Sequence, residues 1–501
     1  MTDKKGAGAV EATMIDDLKD SGFDQQKEIL AHQKFRGKSD EEVAALKKAM
    51  LRKVDTRVMP MLIILFLLNI LDRNNFTNAR LGGLEDDLKL SDHQYNTCLM
   101  IMYVGYLLFQ FPSNVILSNF PRPGVYLSVA AVLWGAISTC MAATRNFREA
   151  LVVRFFLGFA EAPFFPGALL MLSSWYQKDE LPFRIAILYA GNTISNCFGG
   201  LIAAGVLGGM NDAAGIHSWR WLFILEGCFT IFIAIIAGFV LPSYPKDVKW
   251  LTEEEREYAI WRLSVEVAGQ DDGEDGSKSI WDGGLQAIKD PKVYMLILIQ
   301  FSLNTGMAYT YFFPSIVKTL GYNKIVTLLL TAPPYALAFF GSLGNSIHAG
   351  KTNERAFHVA VPMAISMIGN ILCITITGTG GRYFAMFLMT FGVYSAFNVT
   401  YSWVSATIPR PRSKRAAALA MVNIMGNSTH LFTSYLYPDS DKPRYARAGI
   451  TLALFCGLGG VSSIALRYWL RHENKKLDRL EGTVGEDAEN GARRKGFRYV
   501  L

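Results

Sequence analysis

Long apolar runs separated by short polar loops dominate the chain from Val58 to Leu470. A helix rises about 1.5 Å per residue, so roughly 20 apolar residues cross the hydrocarbon slab of a bilayer. The pattern predicts twelve such helices, at 56–76, 95–118, 123–144, 149–174, 182–208, 219–241, 291–317, 325–348, 356–378, 382–407, 413–437 and 445–470. Pro112, Pro163, Pro166, Pro333 and Pro334 fall inside these runs, which weighs less against helix in lipid than in water. A polar segment, 242–290, splits the runs six and six. It opens Leu241-Pro-Ser-Tyr-Pro245, continues as the charged stretch Leu251-Thr-Glu-Glu-Glu-Arg256, and passes through the linker-like Gly269-Gln-Asp-Asp-Gly-Glu-Asp-Gly276. The expected organisation is a tail (1–55), a first half (56–241), a connector (242–290), a second half (291–470) and a second tail (471–501). The fold class is therefore an all-α membrane protein whose two six-helix halves rock around a midplane site.

Composition agrees with the pattern: 51% of the 501 residues are hydrophobic and only 19% are charged. The net charge of +7 does not point to nucleic acid, because the basic residues sit in short loops at the ends of apolar runs. Arg52, Lys53 and Arg57, the loop Pro409-Arg-Pro-Arg-Ser-Lys-Arg415, and the end from Arg471 to Arg479 share one side in a twelve-span count. That side is expected to be cytoplasmic, with both termini on it, in the plasma membrane. The opposite loops hold fewer cations (Arg145, Arg148, Lys442, Arg444). The six cysteines lie in apolar runs without a CxxC pair, so neither disulfides nor a metal site is indicated. The first 50 residues are polar, lack the apolar core of a cleaved signal peptide, and are expected to turn helical from Ser39 to Arg52. Asn75, Asn398 and Asn427 match the glycosylation pattern but lie in or against spans, which assigns them no such role.

The chemistry concentrates on Arg154-Phe-Phe-Leu-Gly-Phe-Ala-Glu161-Ala-Pro-Phe-Phe-Pro-Gly167. An arginine and a glutamate within an apolar run cost several kcal/mol if they face lipid unpaired. Two helical turns, about 10.5 Å, separate them on one face, so that face must look into protein or water. Asp72 and Arg154 fall at similar depth in the first and fourth spans and are expected to pair. Arg73, rotated about 100° from Asp72, is then left as a cation for a substrate anion. Glu161 falls near the midplane with no cation within a turn of it on its own helix, a candidate to take up and release a proton. The structural alternative is that Asp72 and Arg154 form a clasp while Glu161 bonds a neighbouring helix. Glu226, another buried acid, reads first as structural.

These residues resemble the major facilitator superfamily, in its anion:cation symporter family and the fungal branch of allantoate-, nicotinate- and pantothenate-permease-like carriers. The resemblance rests on Leu71-Asp-Arg-Asn-Asn-Phe-Thr-Asn-Ala79, Arg154 to Gly167, Trp219-Arg-Trp-Leu-Phe-Ile-Leu-Glu-Gly227, Trp250-Leu-Thr-Glu-Glu-Glu-Arg256, Phe312-Phe-Pro-Ser-Ile-Val-Lys-Thr-Leu-Gly321, Thr331-Ala-Pro-Pro-Tyr-Ala336 and Lys414-Arg-Ala-Ala-Ala-Leu-Ala420. It implies proton coupling at Asp72 and Glu161, and anion binding and gating at Arg73 and Arg154. The chain departs from the superfamily signature after the second span, Ser118-Asn-Phe-Pro-Arg-Pro-Gly124, and in His348-Ala-Gly-Lys-Thr-Asn-Glu-Arg355 after the eighth. Pro163 stands where fungal relatives usually have Gly, and is expected to kink the helix after Glu161.

The second half supplies neutral polar groups: Asn304, Tyr394, Asn398, Asn423 and Asn427. Opposite a cationic half they suit a carboxylate whose remaining body is held by hydrogen bonds; their alternative role is interhelical packing. Tyr103, Tyr106, Asn192 and Asn196 are weaker candidates, and His430 reads as a packing histidine. The expected function is proton-coupled import of a small organic anion, a nicotinate-, pantothenate- or allantoate-like carboxylate. The proton gradient is its energy source, no cofactor is involved, and the working unit is a monomer in the lipid bilayer. The alternatives are a drug–proton antiporter of the same fold and a nutrient sensor that does not translocate. An enzyme is not indicated, since no metal cluster or nucleophile–base set stands out.

Overall fold

The computed structural model describes residues 35, 38–177, 180–210, 213–245, 248–271, 280–408, 412–483 and 498–501. The expected linker positions 272–276, the basic loop at 409–411 and the tails 1–34 and 484–497 lie outside them, as do 36–37, 178–179, 211–212, 246–247 and 277–279. Helices occupy all twelve expected places: α1 Asp40–Leu81, α2 Asp92–Asn119, α3 Pro123–Cys140, α4 Phe147–Glu161 continued by Phe164–Ser173, α5 Leu181–Gly209 and α6 Ser218–Val240. The second half follows as α7 Pro291–Gly306 continued by Phe313–Lys318, α8 Lys324–Leu329 continued by Ala332–Thr352, and α9 Ala356–Thr375. It ends with α10 Thr379–Thr407, α11 Arg412–Asn427 continued by His430–Thr433, and α12 Ala446–Thr483. Nine helices among the described residues are long and apolar enough to cross a membrane, and the protein is a multi-pass membrane protein.

Local chemistry sets the ends. Ser39 accepts from Glu42 N–H while Glu42 reaches back to Ser39 N–H, so α1 starts well before its apolar run. Ser91 and Gln94 do the same for α2. The fourth helix breaks at Ala162–Pro163, one residue past Glu161, where proline lacks the N–H that would bond the preceding turn. α2 and α4 cross through glycines: a Cβ on Gly158 would lie 1.8 Å from the Met102 carbonyl oxygen, and one on Gly105 would lie 2.2 Å from that of Phe155. That close approach holds the buried end of α4 against α2.

The start of α1, the described residues of the 242–290 connector and residues 498–501 lie on one face, here the connector face. Lys53 bonds Glu255 at 2.7 Å, Arg262 bonds Glu180 at 3.0 Å, and Lys414 bonds Asp290 at 2.6 Å. On the opposite, distal face the halves meet. Arg80 at the end of α1 reaches Asp439 of the second half at 3.0 Å, and Thr97 of α2 bonds Tyr435 at 3.0 Å. Gly200 of α5 sits so near α8 that a Cβ there would lie 2.8 Å from the Leu328 carbonyl oxygen.

Candidate functional site

A cavity of about 120 Å³ lies between the halves, below that closure. One water needs roughly 10–15 Å³ by the same measure, so the space suits a small organic molecule. α1 contributes Phe66, Asn69, Ile70, Arg73 and Asn74, residues three or four apart on one helical face. α4 contributes Glu161, and α5 contributes Tyr189, Asn192 and Asn196. From the second half come Asn304 and Tyr311 of α7, Tyr394 and Tyr401 of α10, and Asn423, Asn427 and His430 of α11.

Charge enters this cavity at one pair. Arg73 donates to Glu161 Oε2 from Nε at 3.0 Å and from Nη2 at 2.7 Å. The Glu161 side chain is fully buried, whereas that of Arg73 is 14% exposed and so faces the cavity. The Tyr103 and Tyr106 rings flank the guanidinium at 5.7 and 5.3 Å. Glu161 Oε1 accepts no hydrogen bond from the described residues. Tyr103 of α2 hydrogen-bonds Tyr311 of the second half, and the His430 ring packs 4.1 Å from the Tyr103 ring.

Amides and phenols line the rest. Asn74 donates to Asn196 at 2.8 Å, and Asn196 donates to Tyr394 across the halves at 3.2 Å. Tyr401 donates to Asn423 at 3.1 Å, Asn427 donates to Asn423 at 3.0 Å, and Gln300 donates to Asn304 at 2.9 Å. On the connector side Tyr189 meets the Phe397 and Tyr401 rings at 5.3 and 5.5 Å.

The expected pairings need correction. Asp72 and Arg154 do not pair. Asp72 accepts from Ser138 of α3 at 3.0 Å and from Thr230 of α6 at 2.8 Å, because its rotation from Arg73 turns it into the first half. Arg154, two turns nearer the distal face than Glu161, donates to the Cys98 carbonyl at 3.2 Å and lies 4.8 Å over the Phe76 ring. Neither lines the cavity. Arg73 is not free either: Arg154 lies two turns from Glu161 on α4, and the cation that meets Glu161 comes from α1. Asn398, on the flank of the α10 face formed by Tyr394, Phe397 and Tyr401, donates to Ser342 of α8 at 3.0 Å and stays outside the cavity.

Arg73, Glu161, Asn304, Tyr394, Asn423 and Asn427 do reach it, together with the weaker candidates Tyr106, Asn192 and Asn196 and with His430. Asn69, Asn74, Tyr189, Thr310, Tyr311 and Tyr401 were missed. Extending the Arg73 face by four residues and the Asn192 face by three finds Asn69 and Tyr189, and two turns along from Tyr394 stands Tyr401. Nothing local finds Thr310 and Tyr311, which are presented by a tight turn of helix in the break of α7.

The sequence profile of the Major Facilitator Superfamily matches residues 62–434. Over 100% of the chain and 98% of the relative, the chain is 32% identical to the MFS-type transporter cnsO of Penicillium expansum. It is 27% identical to the high-affinity nicotinic acid transporter of Saccharomyces cerevisiae, over 86% of this chain and 79% of that one. The proton:xylose symporter XylE superposes with a TM-score of 0.63 at 15% identity, covering 83% of this chain and 96% of that chain. A bacterial homologue of the human lysosomal transporter Spinster, inward-facing and unoccupied, superposes with a TM-score of 0.61 at 16% identity, over 82% and 93%. At these identities the two structures support the fold.

Proposed function

The chain belongs to the Major Facilitator Superfamily, and on that premise we propose that it is a proton-coupled symporter importing a small organic anion. The observation that carries this reading is the Arg73–Glu161 pair, a cation facing a neutral cavity with its acid partner buried behind it. While Glu161 is ionised it holds the guanidinium. When Glu161 takes up a proton the attraction is lost, and the planar fork of Arg73 is released to bind a carboxylate through two parallel hydrogen bonds. Proton and anion therefore favour each other. An empty, unprotonated carrier returns with the pair closed, which avoids an unpaired buried charge worth about 3–5 kcal/mol.

The amides of α5, α7 and α11 would hold the polar atoms of the substrate body, and Tyr106, Tyr189, Tyr401 and Phe397 its flat faces. The connector face is cytoplasmic in this reading, and the contacts Arg80–Asp439 and Gly200–Leu328 close the outside. With one proton the import of a monoanion is electroneutral. A second proton adds about 2.3 kcal/mol per 100 mV of membrane potential.

Uptake of radiolabelled nicotinate, pantothenate and allantoate by cells expressing the protein, with and without a protonophore, tests the reading. Accumulation of at least one, collapsing with the protonophore, is expected. Protonophore-insensitive accumulation, or uptake of all three no higher than in cells lacking the protein, removes this reading.

A further inference from the structure

Outside the cavity, the described residues of the first half include two buried acids without a cation, Asp72 and Glu226. Asp72 is fully buried and Glu226 is 6% exposed. Among the described residues neither forms a salt bridge. They lie one helical turn apart along the seam between the antiparallel helices α1 and α6. Asp72 of α1 meets Thr230 of α6, and one turn nearer the distal face Asn75 of α1 donates to Glu226 Oε2 of α6 at 2.8 Å. Steps of three residues on α1 and four on α6 keep both contacts on one seam.

The Asp72 end of the seam has donors in Ser138, Thr230 and the Trp134 indole N–H, but the Glu226 end is short of them. Glu226 Oε1 and Asn75 Oδ1 are buried acceptors that receive no hydrogen bond from the described residues. A carboxylate oxygen left bare at such a place costs several kcal/mol. What the seam lacks is one positive charge, or one donor, between buried oxygens.

We propose that Glu226, set by Asn75 and adjoining Asp72, is a second proton-binding site of the carrier, separate from the Arg73–Glu161 pair. Its chemistry is one O–H bond, formed on a carboxylate oxygen and broken when the proton leaves to water. The charge of Asp72 on α1 acts on Glu226, and that of Glu161 on α4, held by Arg73, acts on Asp72. From α3 the seam receives the hydroxyl of Ser138. Glu226 is nearer the distal face than Asp72, so a proton entering there meets it first. The role of this site in coupling rests on the symport reading above; its occupancy by a proton does not.

That occupancy is measurable without substrate. Infrared spectra of the purified protein in lipid, recorded from acid to alkaline pH in choline buffer, report protonated buried carboxyls by their C=O stretch. In the wild type this band is expected to fade as the pH rises, and Glu226→Gln should lose about half of the fading amplitude or more. Asn75→Ala keeps the carboxyl but removes its donor, worth about 1.5–3 kcal/mol to the charged form, so the midpoint should move to more alkaline pH by about one unit or more. A band of unchanged amplitude and midpoint in Glu226→Gln overturns the proposal, and if that variant does not fold, an unchanged midpoint in Asn75→Ala does so. A wild-type band that sodium abolishes at fixed pH, with Glu226→Gln insensitive, assigns the site to sodium and also overturns it. Failure of all three anions in the uptake assay leaves this measurement standing, and the reverse holds.

Discussion

Arg73 and Asp72 are neighbours in sequence with opposite environments, and the contrast governs what each can do. Arg73 touches the cavity through a partly exposed fork, whereas Asp72 is enclosed by hydroxyls. Substituting Arg73→Ala should lower apparent anion affinity by roughly 10–100-fold, the worth of a charge-assisted hydrogen bond. Competition uptake measures it, and an affinity within a factor of about two of wild type would place anion binding elsewhere. Glu161→Gln should still bind and exchange anion but lose accumulation against a gradient, since the amide cannot carry the proton. Counterflow compared with net uptake separates the two. Concentrative uptake by that variant at the wild-type level would remove Glu161 from the coupling.

Elements are held by contacts that a single atom can upset. A methyl on Gly158 has nowhere to go beside the Met102 carbonyl, which is backbone. Gly158→Ala should cost about 1–3 kcal/mol or more through displacement of α4 from α2, seen as a lower melting temperature in detergent and lost uptake. On the connector face Asp290 caps α7 and is bound by Lys414. Burial pushes the Asp290 carboxyl up, but the Lys414 ammonium and the Lys292 backbone N–H outweigh it and hold the group below the usual carboxylate range. A depressed carboxyl stabilises the fold above its unfolded value and ceases to as it takes up a proton. Asp290→Asn should therefore melt earlier at neutral pH, with the gap to wild type closing below about pH 4. A gap that persists in acid would assign the stabilisation to something other than this charge.

At the scale of the molecule, the distal contacts join the two halves above the cavity, and in the symport reading they hold one of two rocking positions. The Arg80 side chain is 6% exposed and that of Asp439 is 42% exposed, so the pair is worth about 0.2–1 kcal/mol rather than the value of a buried one. Asp439→Asn should shift the equilibrium toward distal opening by up to about fivefold. Faster labelling of a Thr331→Cys reporter by a membrane-impermeant maleimide would register it, because Thr331 lines a small void of about 20 Å³ under the closure. An unchanged rate would mean that the glycine–helix contact at Gly200, not the ion pair, keeps this face shut.

The run lengths of apolar residues determined the helices, because the bilayer has one thickness and a helix one rise. Helical spacing and the cost of bare charge in lipid likewise determined that Arg73 and Glu161 had to face inward. Which acid met which arginine was a different matter. Depth along each helix left Asp72 with Arg154 and Arg73 with nothing, while the rotation of α1 against α4 reversed that pairing. Rotation and crossing distance are products of packing, here of two glycines between α2 and α4 and of the breaks at Pro163 and Met307. A one-dimensional pattern assigns a side chain to a helical face; only the assembled bundle assigns that face a neighbour.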